Sequence, residues 1–192
     1  MAKLSISRRA IAAIAAVMMA AFSAAGVLYV NTATGPVPAA IVLATETLVQ
    51  PWEGRELKAY RDIVGIWTIC DGDTQNVTAS TVETPAGCNA RLQRRMLGEF
   101  YPALVKCIAG FERKPLSWQA MMISLGWNIG HAGACKSTAA RLGREGKYLE
   151  SCQAATAFNR AGGRVVVGLV KRREMGDAKR IGEGELCVSG LS

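Results

Sequence analysis

Histidine is nearly absent from this chain of 192 residues; His131 is the only one. Cys-x-x-Cys is absent altogether. A zinc site therefore has too few well-spaced ligands, and no metal or other cofactor is expected. No nucleic-acid-binding signature occurs and the bases form no long run, so the net charge of +8 is not read as a nucleic-acid footprint. The bases gather instead as Arg91/Arg94/Arg95 and Lys171/Arg172/Arg173. Each cluster, taken alone, reads as a solvated helix face. There is no internal repeat, and the one low-complexity tract is rich in alanine and close to the N-terminus.

That tract also lacks charge. From Ala10 to Val30 there are 21 residues without an acid or a base, behind a flank holding Lys3, Arg8 and Arg9. The length suits a membrane-spanning helix, and the basic flank places its N-terminus in the cytoplasm. Nine of the 21 are alanine, so the span is weakly hydrophobic. Three readings compete. Ser23-Ala24-Ala25 resembles the cleavage site of a signal peptide. The segment also reads as a permanent anchor, or as an anchor weak enough to leave the bilayer.

Cysteine is missing from the first 50 residues. All six, Cys70, Cys88, Cys107, Cys135, Cys152 and Cys187, lie beyond. An even count in an exported chain suggests disulfides and an oxidising compartment. Six cysteines allow fifteen pairings. A short loop favours Cys70 with Cys88. Cys135 with Cys152 would join two neighbouring short helices, which leaves Cys107 with Cys187.

Residues 31–38 hold two prolines and a glycine and read as a linker. About 150 residues remain, 39–192, enough for one domain with its own core. Pro38 can open a helix over the apolar run 39–50, although Pro51 complicates its last turn. Thr84-Pro85 is a helix start, an N-cap followed by proline. The helix after it repeats apolar residues every three or four positions to Ile108, with arginines on its other face and a kink expected at Pro102. Trp118 to Trp127 is apolar all round, as a buried helix is. Asn128 follows it in Gly-Trp-Asn-Ile-Gly and, taken alone, reads as a cap or turn residue at the helix end.

The richest stretch runs from Trp52 to Thr74, W-E-G-R-E-L-K-A-Y-R-D-I-V-G-I-W-T-I-C-D-G-D-T. Glu53 closes a helix, with Gly54 as its stop. Ile66-Trp67-Thr68-Ile69 alternates as a half-buried strand does, so Asp62 and Thr68 belong to a small hairpin. Two carboxyls facing each other across a groove suit glycoside hydrolysis: one acid for the leaving oxygen, one partner for water or the developing cation.

E-G-x-x-L-x-A-Y-x-D-x-x-G-x-W-T-I-C-x-G closely resembles the active-site segment of the phage-type lysozymes, glycoside hydrolase family 24. The resemblance implies an α+β, mostly helical, two-lobed domain with a small β-hairpin lobe and a helical lobe. It implies Glu53 as general acid, Asp62 and Thr68 as the groups that position or activate water, and Asn128 facing the sugar cleft. Gly168-Leu169-Val170-Lys171-Arg172-Arg173-Glu174 resembles a late element of the family; a cation from it within reach of Glu53 would oppose the raised pKa that an acid wants, so Arg172 and Arg173 are read as structural partners, not catalysts. One position departs: members often carry histidine where this chain has Asp73.

The implied activity is an endolysin, a muramidase cutting the β-1,4 bond between N-acetylmuramic acid and N-acetylglucosamine. Its partners are peptidoglycan and, through the N-terminal helix, the bacterial inner membrane; no nucleic acid is expected, and the protein is expected to be a monomer. A lytic transglycosylase needs only the Glu, so Asp62 and Thr68 argue for hydrolysis. A non-enzymatic wall-binding protein would not need Glu53. The Ala-rich start resembles the signal-anchor-release endolysins. The expected layout is a cytoplasmic 1–9, a weakly hydrophobic anchor 10–30, a linker 31–38 and a catalytic domain 39–192, tethered facing the periplasm and then released into it. With no cysteine in residues 1–50, no anchor thiol can exchange with a disulfide, and the tether itself is left as the control.

Overall fold

The computed structural model describes residues 3–62 and 65–191. Helix α1 (Arg8–Ala20) is capped by Ser7, whose hydroxyl accepts from the Ala10 amide. It buries Ala10, Ile14 and Val17, one face at helical spacing. With that face α1 packs on α2 (Ala39–Ala44) and on α11 (Glu183–Ser189), and the three residues belong to the main core.

The uncharged stretch 10–30 is thus not one helix here. At Ala21 the chain turns into β1 (Ala21–Ala24), then β2 (Val27–Thr32) and β3 (Gly35–Pro38), an antiparallel sheet in the order β1-β2-β3. Ala25 and Gly26 both take positive φ, 51° and 80°, as the two central residues of a type I′ hairpin turn do. Val27-Leu28-Tyr29-Val30 is a strand-forming sequence. The helix keeps 13 residues, about 20 Å, short of a bilayer core of about 30 Å. No helix among the described residues is long and apolar enough to cross a membrane. The expected linker 31–38 supplies the end of β2 and all of β3.

From α2 the chain continues through a π turn (Thr45–Val49) into α3 (Gln50–Glu53). The same device recurs: α4 (Pro85–Arg95) passes through a π turn (Met96–Phe100) into α5 (Tyr101–Cys107). Pro51 and Pro102 each stand two residues after such a turn. The widened turn accommodates a ring that would otherwise strike the carbonyl one turn back. Thr84 caps α4 by accepting from the Gly87 amide, as its sequence predicts.

Strands β4 (Glu56–Arg61) and β5 (Trp67–Cys70) form the hairpin lobe, with Tyr60 opposite Thr68. After a 3-10 turn (Phe111–Arg113) comes α6 (Leu116–Ile129), buried without a break from Ser117 to Gly126. Helices α7 (His131–Lys136), α8 (Thr138–Arg144), α9 (Tyr148–Ala155) and α11 gather round it. Trp118 of α6 donates to Ser151 Oγ at 2.7 Å. A Cβ on Gly143 would stand 2.0 Å from the Trp118 ring, so only glycine lets α8 approach. A two-stranded hairpin, β6 (Arg160–Ala161) and β7 (Arg164–Val165), leads into α10 (Val167–Arg173).

Three disulfides close the fold: Cys70–Cys88, Cys107–Cys135 and Cys152–Cys187. The first matches expectation and joins β5 to α4. The expected Cys135–Cys152 and Cys107–Cys187 pairs do not form. Cys107 ends α5, which packs on α7 and its Cys135; Cys152 sits on the buried face of α9, against Cys187 of α11. Helix packing, not sequence proximity, selects these partners.

Of the α4 arginines read as a solvated face, Arg94 is exposed but Arg91 and Arg95 are mostly buried. Asp73, buried in the hairpin lobe, receives Arg95 at 2.8 Å, Arg91 at 3.2 Å and Arg94 at 3.6 Å. Burial depresses the pKa of Arg95, but the carboxylates of Glu99 and Asp73 outweigh it and hold the guanidinium above its ordinary value. Where the family often has histidine, a buried aspartate bolts the hairpin lobe to α4.

Candidate active site

Glu53 is the last residue of α3; Gly54, at φ 67°, ends the helix and lets the chain enter β4. The Glu53 carboxylate accepts from Arg172 Nη1 at 2.7 Å. Arg172 also donates from Nε to Glu183 Oε1 at 3.3 Å, and Ser124 donates to the same oxygen at 2.7 Å. The other oxygen of Glu183 is bound by Arg173, which in turn donates to Asn128 Oδ1 and to Phe158 O. Burial lowers the pKa of Arg172, but Glu183 and Glu53 more than restore it, so the guanidinium stays charged. Two guanidinium groups and two carboxylates thus balance in one buried chain running from Glu53 to Asn128.

Because arginine only donates, the Asn128 atom facing Arg173 is its carbonyl oxygen. The amide NH₂ is left for the cleft. A cavity of about 210 Å³ is lined by Glu53, Gly72, Thr74, Arg95, Phe100, Trp127 and Asn128. Arg95 lies over the Phe100 and Trp127 rings, 5.5 and 5.8 Å from their centroids. Larger space, about 400 Å³, lies between the β2–β3 turn and α4. Its lining includes one carboxylate, Glu46, and none of the motif residues, so the smaller cleft is the candidate site.

Asp62 and Thr68 stand on the hairpin, outside that lining. Asp62 Oδ1 accepts from the Ile66 amide at 2.9 Å, which fixes the carboxylate at the end of β4. Thr68 is buried and donates to Ile66 O at 3.1 Å. Ile63 and Val64 of the motif lie outside the described residues. Tyr60 relates the two acids. Its phenol pKa is raised by burial first, and then by the negative charges of Glu53, Glu56 and Asp62. His131 approaches Glu99 at 3.9 Å and packs edge-on to Phe100, away from the motif acids' bonds. Among the described residues no cluster of His, Cys, Asp and Glu could hold a metal ion.

The cation that does reach Glu53 is Arg172, one of the two arginines read as structural partners. Glu183, at the centre of the network, was not anticipated: nothing in Gly-Glu-Gly-Glu marks one acid as buried. Arg95, Phe100, Trp127 and Thr74 were equally hidden as cleft residues. Only the apolar-then-polar end of α6 hinted at Trp127.

A helix-borne carboxylate facing a cleft between a β-hairpin lobe and a helical lobe defines a glycoside hydrolase of the lysozyme class. The chain belongs to the phage lysozyme family, whose model, described as "Phage lysozyme", matches residues 50–176. It is similar to the SAR-endolysin of Enterobacteria phage PA-2, 30% identical over 142 residues, 72% of this chain and 78% of the relative. It is also similar to the SAR-endolysin of Pseudomonas phage phiKMV, 33% identical over 134 residues, 63% of this chain and 76% of the relative. Among solved structures, the active form of the P1 phage endolysin Lyz superposes with a TM-score of 0.63 at 21% identity, over 80% of this chain and 85% of that one. The muramidase domain of SpmX from Asticaccaulis excentricus superposes with a TM-score of 0.61 at 19% identity, over 97% and 99%.

Proposed function

We propose that this lysozyme is an endolysin that hydrolyses the β-1,4 bond between N-acetylmuramic acid and N-acetylglucosamine in peptidoglycan. Glu53 gives its proton to the glycosidic oxygen. Asp62, with Thr68 beside it on the hairpin, holds water or faces the developing positive charge. Asn128 offers its amide NH₂ to the sugar. The observation that carries this reading is Glu53 itself: a carboxylate on the cleft wall, held at 2.7 Å by an arginine that a second acid shares.

Glu53→Gln tests it. The amide still accepts from Arg172 but has no proton to give, so the protein should fold and release no sugar ends from purified peptidoglycan. Comparable release by folded Glu53→Gln would refute the assignment. Product analysis separates the chemistry: reducing ends mark hydrolysis, whereas 1,6-anhydro ends mark a transglycosylase.

The N-terminal reading is that residues 10–30 begin as a signal anchor in the host inner membrane and fold onto the enzyme after release to the periplasm, where it works as a monomer. Support comes from the uncharged stretch, the basic flank and the SAR-endolysin names of the relatives. The folded segment is the second support. Ser7 and Arg9, from the expected cytoplasmic flank, bind Glu185 of α11 at 2.6 and 2.7 Å, and Arg9 also reaches the Asp177 and Met175 carbonyls. Those contacts hold the flank against the catalytic body, as the release reading expects.

A further inference from the structure

Between Glu150 and Glu174 the chain has no acidic residue. Five bases stand in that interval. Arg172 and Arg173 are buried and engaged by Glu53, Glu183 and Asn128. Arg160, Arg164 and Lys171 are exposed, and none of them is ion-paired among the described residues. Arg160 donates once, to Gly163 O at 3.1 Å, across the tip of its own hairpin.

The same hairpin carries apolar surface. Nine consecutive residues, 160–168, are exposed, and among them Val165, Val166 and Val167 are 52, 38 and 69% exposed. Three bare valines in a row form a patch of the kind that marks an interaction site. The hairpin has two strands only, so both edges offer unpaired backbone groups.

Its base is fastened to the catalytic network. Val166 N donates to Asn159 O at 3.0 Å, and Arg173 donates to Phe158 O at 3.0 Å. From β7 the chain enters α10 directly, and the seven residues of that helix span about 10 Å. The arm is therefore a fixed extension of the group that holds Glu53 and Asn128.

We infer that the β6–β7 arm is a docking surface for the peptide stems of the glycan. The inference rests on peptidoglycan being the substrate. Stems are short peptides that can lie extended and carry free carboxylates. Arg160 and Arg164 are unpaired forks suited to those carboxylates. Val165 to Val167 cover the alanine methyls. An open strand edge pairs with the stem amides, as in other cases of strand addition. A lipid surface fits less well, because the arm is tied to the cleft network, where a glycan-borne group arrives together with the scissile bond.

The test compares two substrates from one preparation: sacculi with stems, and glycan strands stripped of stems by an amidase. Wild-type enzyme should cut both, the stem-bearing one at higher kcat/KM. Arg160→Ala/Arg164→Ala should lose roughly tenfold in kcat/KM on sacculi, through KM, and nothing on stripped strands. Val165→Ser/Val167→Ser should shift the same ratio in the same direction. Lys106→Ala/Lys136→Ala removes two exposed charges elsewhere and should leave the ratio unchanged. Equal losses on both substrates, no loss on either, or the same loss in the Lys106/Lys136 control would overturn the assignment. So would a loss confined to binding of vesicles rich in phosphatidylglycerol. If the wild type cuts neither substrate, it is the muramidase reading that falls.

Discussion

Arg172 and Glu53 are 119 residues apart in sequence, yet Arg172 Nη1 donates to Glu53 Oε1 at 2.7 Å. The same guanidinium touches Glu183, which is fully buried. One cation from α10 thus fixes the acid at the end of α3 and neutralises part of α11. Its Nη2 has no partner among the described groups, so the position has no slack for a further loss of bonds.

Arg172→Ala should therefore cost more than a surface charge. It leaves Glu183 with Arg173 as its one cation, beside the Ser124 hydroxyl, and frees the Glu53 side chain, and breaking a buried pair costs about 3–5 kcal/mol. Arg172→Lys should recover only part, since one ammonium cannot bridge both acids with fixed geometry. Urea unfolding measures the first effect. Activity at equal folded amounts measures the second, with kcat expected to fall in both variants.

Asp73→Ala should loosen the hairpin lobe. Arg91 and Arg95, both mostly buried, would lose a shared counter-charge, at about 3 kcal/mol. Hydrogen exchange should rise in β4 and β5 while α6 stays protected. A double-mutant cycle with Arg95→Ala should show strong coupling between the two positions.

Acid should release the N-terminal segment before it unfolds the body. Burial raises the pKa of Glu185, but bonds from Arg9, Ser7 and the Gly182 amide outweigh it and hold the carboxyl below its ordinary value of 4.5. A lowered folded pKa contributes stability that is present above the unfolded value and lost as pH falls through the folded one. Protease cleavage within residues 3–9 should therefore appear only in acid, once the pH falls past the ordinary carboxyl value of 4.5 towards the lowered folded one. Arg9→Ala should move that onset to higher pH, and an onset shared with global unfolding would contradict the clasp.

Replacing Ala12, Ala15 and Ala16 with leucine should separate retention from catalysis. All three are exposed on α1, so the folded enzyme has room for them. In a bilayer each buried CH₂ adds roughly 0.8 kcal/mol. The variant should stay in the membrane fraction and lyse late, yet match wild type on peptidoglycan once purified. Unchanged lysis timing from an uncleaved, membrane-retained variant would exclude control by the tether.

Much of the site could be read from the chain because its causes are local. Gly54 after Glu53 ends a helix whatever surrounds it. Ile66 to Ile69 reads as a strand, and β5 covers Trp67–Cys70, although it is buried on both faces rather than alternating; Thr84-Pro85 caps a helix. Cys70 and Cys88 meet because both flank the hairpin lobe. Arg91 and Arg95 of α4 were misread because periodicity reports which face is polar, not what lies opposite, and a buried Asp73 lay opposite. Cys152 was misassigned for the same reason: its neighbour in the chain is α8, but the face that carries its sulfur meets α11.

Through the resemblance of residues 53–72 the sequence pointed to the lysozyme-like fold class and to Glu53, Asp62 and Thr68 as motif residues, and its even count of cysteines pointed to disulfides. Short-range propensities by themselves account for the helix end at Glu53, the hairpin strand and the cap at Thr84. The tertiary structure alone decided two of the three disulfides, the Glu53–Arg172–Glu183–Arg173–Asn128 network and the bolt at Asp73. It also decided the fate of residues 10–30, which composition cast as a continuous span. Weakly apolar alanine gains little from lipid, while Ile14 and Val17 gain a packed core, and the strand-forming Val27–Val30 gains a sheet. Which of those environments wins depends on what stands beside the segment, and that is a property of the folded molecule.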